Sequence, residues 1–126
     1  MKPIDAEGMV QDYLAQQGFD CSATPLPPDF AERLPFVYIT RTGGQTYHVA
    51  ADLHMLSFDV YAPTWAQAMD VAGSAVEAVR SMRGLYTGGV QFYVPNVNMP
   101  YNNPDPNHAD VPRVTFTATL TASGKE

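Results

Sequence analysis

At 126 residues, 45% of them hydrophobic, the chain has room for one domain with one real core and is too apolar for global disorder. Seven basic against thirteen acidic residues give a formal net charge of −6. That argues against wrapping nucleic acid, which needs clustered Lys and Arg, but suits a surface that DNA slides past. The apolar runs fall short of the ~20 residues of a membrane span, the opening MKPIDAEGM has no apolar stretch of the secretory kind, and the lone Cys21 makes neither an internal disulfide nor a cysteine-built zinc site.

Residues 5–17 predict a short helix. Asp5 stands at the N-cap, Met9, Val10, Tyr13 and Leu14 form an apolar stripe, and Gly18 ends it. A brief strand over 19–24 leads into TPLPPDF, whose prolines exclude an ordinary helix or a central strand. Residues 34–42 predict a strand with Val37 and Ile39 on one face and Phe36, Tyr38 and Thr40 on the other. Both faces are partly apolar, as for a strand interior to a sheet. Gly43-Gly44 is read as a turn. A second strand over 51–61 points Leu56, Phe58 and Val60 one way and Leu53, Met55, Ser57, Asp59 and Tyr61 the other.

The main helix is predicted over 64–83. Thr64 and Gln67 have capping-box spacing, and Trp65, Met69, Ala72, Val76 and Val79 form the apolar face, widened by Ala68, Ala75 and Met82. Gly84 closes it. A third strand, 90–94, follows Gly88-Gly89, and a fourth spans 111–122, where Val114, Phe116, Ala118 and Leu120 alternate with Arg113 and a row of threonines. The expectation is one α+β domain over 1–126: a four- to five-stranded, mostly antiparallel sheet, with the long helix packed on one face and a short N-terminal helix. No internal repeat is read.

Between the last two strands lies a connection, 95–110, with four prolines and five asparagines. Compact domains seldom keep so long a loop without a use. Its prolines stiffen it, and Met99 and Tyr101 give it apolar anchors. Two readings stand: a surface loop folded onto its own domain, or an arm that docks on a neighbouring subunit. The threonine face of the last strand divides the same way, between a solvated face and an edge that adds to another sheet.

Asp52 and His54 stand two apart on one strand, and Asp59 and His48 are near in sequence. Zinc wants three or four convergent ligands, so no metal is expected and His54 is placed half-buried at the sheet rim. The glycine pairs lack a phosphate-loop lysine, no nucleophile or metalloprotease motif occurs, and Trp65 is placed in the core. These residues point to a binding or structural role, with no catalytic residues and no cofactor.

Three segments in order, LPFVYITRTGG, DLHMLSFDVYAPTWAQAMDVAGSAVEAVR and PYNNPDPNHADVPRVTFTATLTA, resemble the tail terminator (tail-to-head joining) proteins of long-tailed bacterial viruses, especially those of actinobacteria. The resemblance spans about residues 34–122. It implies a ring, commonly a hexamer, that caps the tail tube, ends tail polymerisation and presents the head-joining surface, with DNA passing through the lumen. The implied partners are further copies of the chain, the tail tube protein and a head-completion or connector protein, with no membrane; the implied place is the virion's tail-neck region, and the host cytoplasm during assembly. Candidate interface residues are Met99, Tyr101, Asn103, Pro104, Arg113 and Arg41, with Gly43 and Gly44 shaping the loop. The alternatives are a head-completion or connector (neck) protein of the same virion, and an unrelated cytosolic binding domain.

Overall fold

The computed structural model describes residues 3–46, 51–93 and 95–123. In chain order they form α1 (Ala6–Gln16), β1 (Cys21–Ala23), a 3-10 turn (Phe30–Glu32), β2 (Phe36–Thr46), β3 (Asp52–Tyr61), α2 (Trp65–Arg80), β4 (Tyr86–Thr87), β5 (Val90–Phe92), β6 (Asn96–Val97), β7 (Tyr101–Asn102) and β8 (Arg113–Ser123). Three long period-2 strands set the frame. β3 pairs antiparallel with β8 in unbroken register from Asp52 opposite Ala122 to Tyr61 opposite Arg113. Its other edge pairs antiparallel with β2, with a bulge between Arg41 and Gly43. β1 adds to β2 in parallel, and β4 pairs with β5 at the far side.

The expected four- to five-stranded, mostly antiparallel sheet, with one long helix on a face and a short N-terminal helix, is therefore corrected in its sheet. Among the described residues the sheet is mixed and curled, with eight strands, and there are two helices. The difference lies in segments too short to show a period: β4, β6 and β7 hold two residues each, whereas β1 falls within the brief strand expected over 19–24. Gly88 and Gly89, at φ 57° and 78°, make the turn between β4 and β5. Gly43 and Gly44 make no turn; they lie inside β2, where a methyl group at Gly44 would strike the Leu53 carbonyl oxygen of the neighbouring strand. Residues 47–50, His48 among them, fall outside the described residues.

Alternation explains the two cores. Val37, Ile39, Leu56, Phe58, Val60, Val114, Phe116, Ala118 and Leu120 are buried on the face that carries the helices. Phe58 and Phe116, directly opposite in register, stack at 4.6 Å with 6° between rings, which contributes about 1 kcal/mol beyond burial. On the other face Phe36 and Tyr61 pack under Phe30, with Phe30 and Tyr61 ring centroids 4.5 Å apart. The proline-rich segment before β2 thus lies over the second face, which is why β2 is apolar on both sides.

Asp5 caps α1 through the Gly8 amide, 3.0 Å, and Thr64 caps α2 through the Gln67 amide, 3.2 Å. The buried face of α2 is Ala68, Ala72, Ala75 and Val79, continued by Met82. It is rotated from the predicted face: Trp65 and Met69 are 43% and 39% exposed, and Val76 packs only at the core's margin. Alanines fit here because they let the helix backbone approach a sheet already filled by phenylalanines. α2 also ends at Arg80, before the predicted 83. Among the described residues no helix is long and apolar enough to cross a membrane.

The rotation is directly testable by urea unfolding. Ala72→Asp should remove at least about 3 kcal/mol of stability, because it buries an unpaired carboxylate. Trp65→Ser should stay within about 0.5 kcal/mol of the parent, as for an exposed position.

Candidate functional site

The polar face of β8 and the connection that precedes it form the most elaborate arrangement in the molecule. The connection is not a free arm. Its backbone is laced along the β8 edge that faces away from β3: the Tyr93, Asn98 and Asn103 amides donate to the carbonyls of Thr121, Thr117 and Arg113 at 3.0, 2.9 and 3.0 Å. Successive donors are five residues apart on the connection, while their acceptors are four apart on β8. The register slips accordingly, from Phe92 opposite Ala122, to Asn96 opposite Thr119, to Tyr101 opposite Thr115. Each unit thus has one residue more than the stretch of β8 it faces, the two-against-one count of a bulge.

The sequence carries this period. Val94-Pro95-Asn96-Val97-Asn98 and Met99-Pro100-Tyr101-Asn102-Asn103 repeat the pattern apolar-Pro-x-x-Asn, which corrects the reading of no internal repeat. Each proline sits where no ladder amide is required, so it costs no hydrogen bond. Each terminal asparagine also reaches β8 with its side chain: Asn98 Nδ2 to Thr117 Oγ1 at 2.6 Å, and Asn103 Nδ2 to Thr115 Oγ1 at 3.1 Å.

Past the second repeat the chain turns around Asp105, a nearly buried carboxylate. Asp105 Oδ2 accepts from the Tyr61 hydroxyl at 2.8 Å and lies 2.9 Å from His108 Nδ1, while Oδ1 accepts from the Asn107 amide at 3.0 Å. The His108 ring stands edge-on to Phe30, 4.8 Å between centroids. Arg113 ties the turn to the sheet: Nε donates to the Asn103 carbonyl at 2.6 Å and Nη2 to the Pro104 carbonyl at 3.3 Å. Its Nη1 lies 3.8 Å from Oδ2 of both Asp59 and Asp105. Thr115 completes the network by donating to Asp59 Oδ1 at 2.8 Å.

The two carboxyls respond oppositely to this setting. Burial pushes Asp105 upward, but His108, the Asn107 amide, the Tyr61 hydroxyl and Arg113 outweigh it and hold the carboxyl down to about 2. Burial wins at Asp59 and raises it above the ordinary carboxylate value, despite Thr115 and Arg113. Burial likewise pushes the Tyr61 hydroxyl up. The chemistry of this cluster is that of a lock. The bonds of Asp105 run to its own chain, and they hold the connection in one conformation.

Of the residues singled out from sequence, Asn103, Pro104 and Arg113 come together in this lock, with their polar groups committed internally. Arg41 is elsewhere, tied to the N-terminal segment: its amide donates to Glu7 Oε2 and its Nη2 to the Ile4 carbonyl, both at 2.7 Å. His54, expected half-buried at the rim, is buried, its Nε2 has no hydrogen-bond partner, and burial holds its pKa below the ordinary value. Among the described residues no three His, Cys, Asp or Glu side chains converge on a metal position. Tyr61, Asp105, His108 and Thr115 were not singled out; the five-residue period and the threonine row were the signals that could have found them.

Met99 and Tyr101 remain outward, 83% and 51% exposed. They are not alone on that flank. Ser81, at the end of α2, bonds Tyr13 of α1, and Val71 and Ser74 line a groove with Phe19 and Asp20 on the β1 side. The opposite shoulder of α2, carrying exposed Trp65 and Met69, therefore turns toward the β6 and β7 edge. The result is one flank on which rigidly mounted Trp, Tyr and Met side chains face solvent, the residue types enriched at protein interfaces.

Asp105→Ala should lower stability by about 2–4 kcal/mol at neutral pH, since it strips a buried, multiply bonded carboxylate from its partners. A depressed carboxyl stabilises the fold above its unfolded value near ~4 and loses that contribution as pH falls toward about 2. The difference between parent and variant, read from urea midpoints, should shrink across that window; the raised Asp59 works in the opposite direction. Comparison with models of known protein families gives no match, and no curated protein matches the chain.

Proposed function

We propose that this chain is a ring-forming structural protein of a long-tailed bacterial virus, of the tail terminator kind. It caps the tail tube, stops its growth and offers the surface on which the head joins. The reading is supported by the segment order described for residues 34–122 and carried by one observation: a single flank where Met99, Tyr101, Trp65 and Met69 stand exposed on locked backbone. A connection fixed in advance loses little conformational entropy on docking, so these side chains bind well for their area. The net charge of −6 per chain accumulates in a ring and repels DNA, as suits a lumen that DNA passes through. Further copies of the chain, the tube protein and a head-side connector are the partners in this reading, and the tail-neck region of the virion is its place.

Light scattering on the purified chain, followed by negative-stain imaging, tests the proposal. The expected result is a closed ring with an open centre, alone or on added tail tube. A chain that stays single at high concentration and ignores the tube overturns it. Replacing Met99 and Tyr101 together by serine should leave the urea midpoint within error and weaken assembly at least about tenfold, roughly 1.4 kcal/mol.

A further inference from the structure

We infer that neighbouring copies meet head to tail, the Trp65–Met69 shoulder of α2 on one copy entering the groove on the opposite flank of the next. The inference rests on the assembly reading above and names the surfaces that it leaves open.

A closed ring of more than two copies needs a heterologous interface, with two different and complementary patches on each subunit. Both are present on separate flanks. The groove has a volume of about 620 Å³, in the size range of pockets that enclose large organic groups, and an apolar floor of Phe19, Leu34, Pro35 and Val71. It lies beside β1, at the sheet edge opposite β6 and β7. α2 separates the two flanks. Val71 follows Met69 by two positions, so the two side chains point about 160° apart around the helix.

Charge pairs the flanks as shape does. The groove rim holds Asp20 and Glu32, with Asp29 beside them, against the single guanidinium of Arg33. Arg80 follows Met69 by eleven positions and returns to the same shoulder within about 20°. Among the described residues Arg80 and Arg83 are the arginines whose side chains bond nothing; the others are held by Asp20 and Asp29, by Ile4, or by the Asp59–Asp105 lock. An apolar shoulder ending in two free cations thus meets an apolar groove rimmed by excess carboxylate.

Cross-linking of two variants carrying different tags tests this. Gly73→Cys places a thiol on the shoulder where an added Cβ meets open space. Ala31→Cys places one next to Glu32 on an exposed turn. Native Cys21 does not compete, because burial, with Asp20 and Asp12 nearby, pushes its thiol up to about 11. With a short bismaleimide, the mixture should give covalent pairs containing one of each tag, and neither variant alone should. Arg80→Glu with Arg83→Glu should weaken assembly at least about tenfold. Pairs formed by Gly73→Cys alone, or oligomers seen by light scattering with no mixed pairs, overturn the head-to-tail contact and leave the ring standing. A chain that stays single at high concentration and does not assemble on added tail tube overturns both.

Discussion

β8 is the strand on which the rest of the molecule depends. One edge pairs with β3 over ten consecutive positions, and the other takes β5, β6 and β7 in turn. One face supplies the helix-covered core and the other the threonines that receive Asn98 and Asn103. A strand used on both edges and both faces cannot shift register, because a one-residue slip would invert its buried and polar sides. The position of the exposed flank follows from that constraint: the connection can lie only where β8 offers carbonyls.

The long strands and the capped helices were legible because each carries a period over ten or more residues, and the alternation of β3 and β8 gave their faces correctly. What failed was whatever depended on fewer residues or on neighbours distant in sequence. Trp65 has the right spacing for a buried stripe, but the face of α2 is decided by how closely the backbone can approach Phe58 and Phe116, and alanine approaches closer than indole. Gly43 and Gly44 read as a turn because glycine permits one, whereas here it permits a bulge and the close passage of Leu53.

The site was legible only in part. Met99 and Tyr101 stand out in any sequence as apolar residues in a polar loop, and they are exposed. Asn103, Pro104 and Arg113 were singled out as possible contacts with a partner, yet their bonds are internal. Those bonds hold the backbone that presents the exposed side chains. Reading this arrangement from sequence requires knowing that Asp59, 46 positions before Asp105 and 54 before Arg113, lies against the same guanidinium, a fact of tertiary pairing and not of local pattern.

The five-against-four relation between the connection and β8 has a consequence for how such a chain can change length. Loss or gain of one residue in the connection would throw the asparagines off their threonines and the prolines onto positions where an amide is needed. Removal of a whole pentad, matched by four residues from β8 and by the positions opposite them on the strands beyond, would keep the remaining asparagines on their threonines. Length variation in this part of the molecule is therefore quantised, and the number of five-against-four units, hence the length of the flank, would change in whole steps.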